Sequence, residues 1–303
     1  MSSRLEIQEC GALPVCREQL PAGIQLRLFW LGQAGFLVDT GELRIVIDPY
    51  LSDSLAEKYR GKMFPHVRMM AAPIAADGLR DVDWVLATHS HTDHLDPGTL
   101  PLLARANPGC RFLVPRSAYP VALERGVPSE RIVLCNTADT VMLQSRDGAG
   151  SSRDSTVSVS VVPGAHEERR LDDDGNDLFV GYVLQFPRIV LYHSGDTVPF
   201  PALSEALSRF TIDIALLPVN GRDDRRRANG VPGNMTLDEA VELADELDVS
   251  VLIGHHYDMF DFNTIARSWG VRRLAERAPD RQERYLLARD KVRYDFLNAA
   301  AAC

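Results

Sequence analysis

The feature that most constrains the fold is a series of short apolar segments rich in β-branched residues and separated by turns that contain glycine or proline. They lie at 26–31, 35–40, 43–48, 84–88, 111–115 and 131–134 in the first half of the chain, and at 156–162, 177–186, 188–196, 212–219 and 249–256 in the second. Segments of this length and composition predict strands. We therefore expect more strand than helix.

Fewer segments carry helix signals. Thr236 and Glu239 have the spacing of a capping box, which predicts a helix running to about Leu247. Three further helices are predicted: one that starts between Pro97 and Pro101 and ends before Pro108, one near 117–126, and one at about 263–278. The segment 291–297 is predicted to be a strand or a loop, and the polar segment 144–155 a flexible loop. Two sheets packed face to face, with helices outside, would bury these apolar surfaces.

Composition disfavours some classes of partner. The chain carries a net charge of −9, and an acidic surface argues against a nucleic-acid duplex or an anionic membrane as the main partner. No apolar stretch reaches the length of about 18 residues that a membrane span needs. The five cysteines are scattered and form no CxxC pair, which predicts reduced thiols and a cytoplasmic location.

The segment from Thr88 to His94 holds three of the eight histidines and directly follows an apolar strand. In an extended backbone, residues i and i+2 point to the same side, so His89 and His91 can share one metal ion. The chain then turns, so that Asp93 and His94 can face a second ion. Imidazole and carboxylate groups suit zinc, manganese or iron(II).

Other ligand-type side chains come at the carboxyl ends of other predicted strands. They are His166, Asp196 and the pair His255–His256. Each alone fits a structural role, but together with the histidine cluster they can complete two coordination shells. Strand alternation allows only one of His255 and His256 to point into the site.

The pattern His-x-His-x-Asp-His, followed along the chain by Asp196 and His256, resembles the signature of the metallo-β-lactamase superfamily. This resemblance implies an α/β fold, the αβ/βα four-layer sandwich with two mixed sheets and helices on the outer faces. It implies one domain over residues 1–303, with a core at about 26–265 and an extension at each end. It also implies two divalent metal ions, either zinc or manganese, with iron as a third option.

The resemblance assigns a role to each ligand-type residue. The ligands of the first ion are His89, His91 and His166; those of the second are Asp93, His94 and His256; and Asp196 bridges the two. Asp48 matches an early aspartate that orients the metal-binding loop. His256 is favoured over His255 because it directly precedes the sequence Tyr-Asp-Met-Phe.

Five motifs narrow the resemblance to the L-ascorbate-6-phosphate lactonase group. They are WLGQAGF at 30–36, DPYLSD at 48–53, SGDT at 194–197, LPVNGRD at 217–223 and HYDMF at 256–260. The group implies a lactonase acting on a small anionic substrate and a homo-oligomer. The segment DDRRR at 223–227 departs from the group's pattern, and its charges cannot be assigned to a particular substrate.

Several residues near these motifs are candidates for substrate binding or support. Asn220, Arg222 and Tyr257 are predicted to line the substrate pocket, with Arg222 holding a phosphate or carboxylate. The alternative for Arg222 is an ordinary surface arginine. Gln33 either forms a hydrogen bond near the metals or ends a turn, and His193 is predicted to support the site or the core rather than to bind metal.

The predicted chemistry is hydrolysis by a water molecule that two metal ions activate, since a bound ion lowers the pKa of water toward 7. Asp93 is the predicted catalytic residue, because it can orient this water or carry its proton. The leading hypothesis is a lactonase. The alternative is a phosphodiesterase acting on a cyclic nucleotide or a phospholipid head group. A nuclease would need a basic groove, which a chain of this acidic charge does not indicate. A non-enzymatic metal-binding module would be expected to lack at least one metal ligand, whereas all seven predicted metal ligands are present.

Overall fold

The computed structural model describes residues 4–145 and 156–297, so nearly all of the predicted loop at 144–155, together with Cys303, lies outside the described residues. The strands are β1 (Arg4–Glu9), β2 (Ile24–Gly32), β3 (Gly35–Asp39), β4 (Arg44–Ile47), β5 (Trp84–Leu86), β6 (Arg111–Pro115), β7 (Ile132–Cys135), β8 (Thr140–Gln144), β9 (Thr156–Pro163), β10 (Val180–Gln185), β11 (Val190–His193), β12 (Ile214–Pro218), β13 (Val251–His255), β14 (Tyr285–Leu287) and β15 (Val292–Leu297). The helices are α1 (Ser54–Lys58), α2 (Leu100–Ala106), α3 (Tyr119–Glu124), α4 (Pro201–Leu207), α5 (Asp224–Ala228), α6 (Leu237–Glu246) and α7 (Arg267–Arg277).

The strands form two mixed sheets. One has the order β1-β15-β2-β3-β4-β5-β6-β7, and the other has the order β14-β13-β12-β11-β10-β9-β8. Strands β2, β3 and β4 form an antiparallel meander, whereas β4 to β7 run parallel. In the second sheet β8 to β11 are antiparallel and β11 to β14 are parallel. Because these strands are parallel, the carboxyl ends of β4 and β5 lie side by side in the first sheet, and those of β11 to β13 lie side by side in the second.

The period-two pattern of β2 explains how the layers pack. Leu28 and Trp30 point into the hydrophobic core between the two sheets. Phe29 and Leu31 point the opposite way and pack with Leu103 of α2 on the outer face of the first sheet. Helix α6 covers the second sheet through its own buried face. The predicted sandwich of sheets and outer helices is therefore confirmed.

The resemblance implied that the chain termini extend from a core at about 26–265, but the structure places strands from both terminal segments within the first sheet. Strand β15 lies between β1 and β2 in the first sheet, where Tyr294 pairs with Leu28. A buried ion pair joins Arg27 Nε to Asp295 Oδ1 at 2.7 Å. The two terminal segments are therefore integral parts of the first sheet, and 291–297 contains a strand rather than a loop.

The helices follow the sequence signals with shifted boundaries. The capping box of Thr236 and Glu239 starts α6 as predicted. Helix α7 begins at Arg267, later than predicted, because Thr264 Oγ1 accepts a hydrogen bond from the Asp258 backbone N–H at 2.8 Å and so stabilises a loop. Helices α1, α4 and α5 were not predicted, and each spans at most seven residues. Over the two described ranges, no helix combines the length and the apolar character needed to cross a membrane.

Candidate metal centre

Several non-glycine residues at the site adopt left-handed backbone conformations. Among them are Gln33, Asp48 and His256, with φ angles of 51°, 45° and 62°. Such conformations cost about 1–3 kcal/mol and tend to occur at functional sites. At His256 this backbone turn ends β13 and separates the directions of His255 and His256.

Asp196 lies at the centre of the ligand-type side chains. Its Oδ2 atom is 3.2 Å from His256 Nε2, 3.3 Å from His94 Nε2 and 3.5 Å from His166 Nε2. The segment after β11 therefore brings one carboxylate against histidines from three other parts of the chain. A carboxylate in this position can bridge two metal ions.

The histidine motif closes the cluster from the other side. The His89 ring lies 4.6 Å from the His91 ring and 4.0 Å from the His94 ring, measured between centroids. Asp93 Oδ2 is 3.7 Å from His94 Nε2 and 3.8 Å from His256 Nε2. The fold thus brings together all seven residues predicted from the sequence as metal ligands.

The donor set fits divalent cations. Ligand atoms of His89, His94 and Asp196, and those of Asp93, His94 and His256, form two groups in which all atoms lie within 4.8 Å of one another. In the described structure His89 Nε2 and Asp196 Oδ1 are buried without a hydrogen-bond partner. Leaving a buried polar atom unpaired costs about 1–3 kcal/mol, and a bound cation would supply the missing partner.

The protonation states of two motif histidines also suit metal binding. Burial lowers the pKa of His89 well below its ordinary value, and the neighbouring rings of His94 and His91 lower it further. Burial likewise lowers the pKa of His91 to about 4, with a smaller contribution from His166. Both rings are therefore neutral near pH 7, as a metal-ligating imidazole must be.

His94 and Asp196 stabilise each other's charged form. Burial acts to lower the pKa of His94, but the surrounding carboxylates, Asp196 first, hold that pKa well above its ordinary value. Burial acts to raise the pKa of Asp196, but His256 and His94 hold it well below. Asp196 is thus ionised, and a metal ion that binds His94 must displace a proton.

Asp48 and Thr88 fix the orientation of two histidine rings. Asp48 accepts hydrogen bonds from the Thr88 backbone N–H at 2.8 Å and from the Thr88 hydroxyl at 2.6 Å. Asp48 Oδ2 also accepts from His94 Nδ1 at 2.7 Å. Since the Thr88 hydroxyl hydrogen is used by Asp48, its oxygen accepts from His89 Nδ1 at 3.1 Å. Both rings therefore turn Nε2 toward the cluster.

The charged segment at 223–227 supports His166. His166 Nδ1 donates to the Gly233 carbonyl at 2.8 Å, which leaves Nε2 free to face Asp196. The loop that carries Gly233 is held by Glu167, which accepts from Gly233 N at 3.0 Å and from Arg227 Nε at 2.6 Å. Asp223 caps α5 through the Arg226 backbone N–H. These charges, which the sequence left unassigned, fix the loop that positions His166.

His193 and His255 lie behind the cluster. His193 Nε2 donates to the Ala34 carbonyl at 2.8 Å, and its Nδ1 accepts from Gly195 N at 3.1 Å. Both ring nitrogens are therefore engaged, and His193 holds the turn that carries Asp196. The His255 ring stacks on His193 at 5.3 Å and contacts Phe36 edge-on at 5.6 Å. His255 thus points into the apolar core rather than toward the ligands.

A pocket of about 150 Å³ opens onto the cluster. We define its floor as the five ligand-type residues that line it, which are His91, Asp93, His166, Asp196 and His256. We define its wall as the side chains around them, mainly Lys58, Tyr59, His66, Thr92, Arg125, Phe260 and Asn263. Gln33 lies beside the floor, where its Nε2 donates to Asp93 Oδ2 at 2.7 Å.

The structure corrects the predicted substrate-binding residues. Tyr257 is buried, stacks on Trp30 at 5.4 Å, and donates its hydroxyl hydrogen to the Ala288 carbonyl, away from the pocket. Arg222 is held by two 2.6 Å hydrogen bonds to the carboxylate of Glu239. Neither side chain lines the pocket.

Asn220, the third candidate, lies one layer behind the wall. Its Nδ2 donates to Asn263 Oδ1 at 2.7 Å, and Asn263 is the residue that lines the pocket. Sequence reasoning missed Asn263, Lys58 and Arg125, because none of them belongs to a motif. Thr88, which directly precedes the histidine motif, is the one residue missed for which the sequence offered a signal.

Comparison with known proteins agrees with this geometry. The Beta-lactamase superfamily domain matches residues 43–257. The Probable L-ascorbate-6-phosphate lactonase UlaG of Escherichia coli O127:H6 (strain E2348/69 / EPEC) is 25% identical over 283 residues, which cover 88% of this chain and 78% of the relative. The protein of that name in Escherichia coli (strain SMS-3-5 / SECEC) is 27% identical over 222 residues; these cover 73% of this chain but only 61% of the relative, less than two thirds.

A solved structure shows the same fold. The isothiocyanate hydrolase from Delia radicum gut bacteria superposes with a TM-score of 0.64 at 20% identity, over 87% of this chain and 97% of that chain. The family match spans more than half of the sequence and includes the histidine motif, Asp196 and His256. The chain belongs to the metallo-β-lactamase superfamily, near the proteins named L-ascorbate-6-phosphate lactonase.

Proposed function

We propose that this protein is a metal-dependent lactonase that opens a small, anionic lactone. The observation that carries the proposal is a floor of five ligand-type residues at the base of a pocket of about 150 Å³. A pocket of this size suits a small molecule rather than a polymer. The named relatives, which are described as L-ascorbate-6-phosphate lactonases, favour a lactone as the substrate class.

The proposed ligands are those predicted from the sequence. His89, His91 and His166 would hold one ion, Asp93, His94 and His256 the other, and Asp196 both. When bound, such ions lower the pKa of water toward neutrality and polarise the bond that is attacked. Hydrolysis would add water across the acyl carbon–oxygen bond and give a carboxylate and an alcohol in one product molecule.

Asp93 is the proposed proton-handling residue. Hydrogen bonding by Gln33 at 2.7 Å fixes one of its oxygens, and the side chain remains 14% exposed to the pocket. Burial acts to raise the pKa of Asp93, but His94 and His256 help to hold it below the ordinary value. The carboxylate is therefore ionised and can orient a water molecule or accept its proton.

The test is a substrate panel with controlled metal content. Protein stripped by a chelator and reloaded with zinc or manganese should hydrolyse γ- or δ-lactones, and removal of metal should abolish the activity. Bis(p-nitrophenyl) phosphate serves as the comparison substrate. Rapid hydrolysis of this diester without hydrolysis of lactones would replace the lactonase proposal with a phosphodiesterase.

A further inference from the structure

Two basic side chains, Lys58 and Arg125, line the pocket next to its floor. Lys58 is the last residue of α1, and Arg125 follows α3. In the ranges that the structure describes, neither forms an ion pair with a carboxylate, although the chain carries a net charge of −9. Arg222 differs, since Glu239 already neutralises it. Glu124, Asp96 and Asp93 act on Arg125 without contacting it directly. Two cations in a pocket wall with no carboxylate in direct contact indicate that an anionic ligand belongs there.

The hydroxyl of Thr92 joins the two cations. Its Oγ1 atom is 3.2 Å from Lys58 Nζ and 3.4 Å from Arg125 Nη2, and both groups can only donate. The Thr92 oxygen therefore acts as the acceptor, and its own hydrogen is left to donate to a ligand. Thr92 lies between His91 and Asp93 in the sequence, so these donors adjoin the predicted ligands.

The guanidinium of Arg125 is fixed before any ligand arrives. Its Nη1 donates to the carbonyls of Ser90 and Leu95, each at 2.8 Å, and to that of His91 at 3.2 Å. These neutral carbonyls orient the group without cancelling its charge. A rigid, oriented cation loses little side-chain entropy on binding an anion, which favours affinity.

We propose that Lys58, Thr92 and Arg125 form an anion subsite that holds a phosphoryl group of the substrate, apart from the bond that is cleaved. A phosphate monoester carries about −1.5 to −2 charges at pH 7, which two cations match, whereas a carboxylate would leave one of them unpaired. Lysine and arginine are both established phosphate-binding residues. The identity of the cleaved bond rests on the proposed function, but the subsite rests only on these contacts.

Lys58 offers the cleanest variant, because Arg125 also supports the metal-binding loop. Lys58→Gln removes an exposed charge, and Lys62→Gln removes a matching charge four residues further on that does not line the pocket. Calorimetric titration of the metal-loaded full chain uses 6-phosphogluconate and gluconate, two carboxylates that differ by the phosphoryl group. Lys58→Gln should raise the Kd of 6-phosphogluconate by about tenfold, since a charge-assisted hydrogen bond is lost. Gluconate binding should stay within about twofold, and Lys62→Gln should change neither ligand.

The outcomes separate the subsite from the reaction. An unchanged preference for 6-phosphogluconate in Lys58→Gln would overturn the subsite, and so would an equal loss for both ligands or a wild-type protein without any preference. A preference that depends on Lys58, in a protein that opens no lactone, would uphold the subsite and refute the proposed function.

Discussion

The floor of the pocket and its wall are specified by the chain in different ways. The floor residues follow strands, and their order can be read from a local motif and from strand ends. The wall residues come from helix ends and loops that only the tertiary structure brings together. Lys58 and Arg125, for example, meet at Thr92 although they lie far apart in the sequence. This difference predicts that floor variants change metal content, whereas wall variants change substrate preference.

The largest expected effect comes from replacing a floor residue. His256 lies in the floor and its neighbour His255 lies in the core, so the same substitution at each position separates loss of metal from loss of stability. His256→Ala removes a proposed ligand, so it should lower the bound metal and reduce kcat/KM by more than about a hundredfold. Mutation of residues that only form hydrogen bonds to metal ligands already lowers metal affinity or activity by about 10–100-fold. His255→Ala removes a ring from the core and should destabilise the protein by about 2–5 kcal/mol while metal content is retained. Metal analysis and thermal unfolding measure both. Loss of metal from His255→Ala alone would reverse the assignment.

A second, smaller effect is expected at Asp48, which supports the proposed metal ligand His94 without being a ligand itself. Asn has nearly the same size as Asp and also tolerates the left-handed backbone at this position. Asp48→Asn therefore weakens mainly the hydrogen bond that His94 Nδ1 donates. Metal affinity should fall by about 10–100-fold, as measured by competition with a chromophoric chelator.

Asp96→Asn is the matched control for Asp48→Asn. Asp96 is also buried, but it accepts hydrogen bonds from Ser52, Ser54 and Thr99 rather than from a ligand. This variant should lower the unfolding temperature and leave metal affinity within about twofold. Equal losses of affinity in the two variants would mean that Asp48 acts only through general stability.

Much of the fold was predictable because strands and helix starts leave local signals in the sequence. The short apolar segment at 26–31 and the capping box of Thr236 and Glu239 each predicted an element that the structure contains, namely β2 and α6. The termini were misjudged because β1 is a short, polar strand at the sheet edge, and its partner β15 comes from the other end of the chain. No local pattern encodes such a pairing.

The site was predictable to the extent that its residues end strands. Tyr257 was misassigned because the left-handed backbone of His256 sends successive side chains in unexpected directions. Arg222 follows Gly221, whose φ of 65° turns the chain so that the guanidinium meets Glu239 on α6. Proximity to a motif in sequence therefore did not translate into proximity to the pocket.

The smallest expected effect concerns Arg222, and it tests whether this residue belongs to the wall that contacts the substrate. Arg222→Ala breaks a pair whose side chains are 29% and 26% exposed, so solvent screening limits the stability loss to about 0.2–1 kcal/mol. Because the guanidinium is committed to Glu239 and does not line the pocket, KM should change by less than about twofold for a phosphorylated lactone and for its neutral counterpart alike. Lys58→Gln should differ by raising KM only for the phosphorylated substrate. A selective rise of KM in Arg222→Ala would instead place the anion anchor on Arg222, and it would require Glu239 to release the arginine when substrate binds.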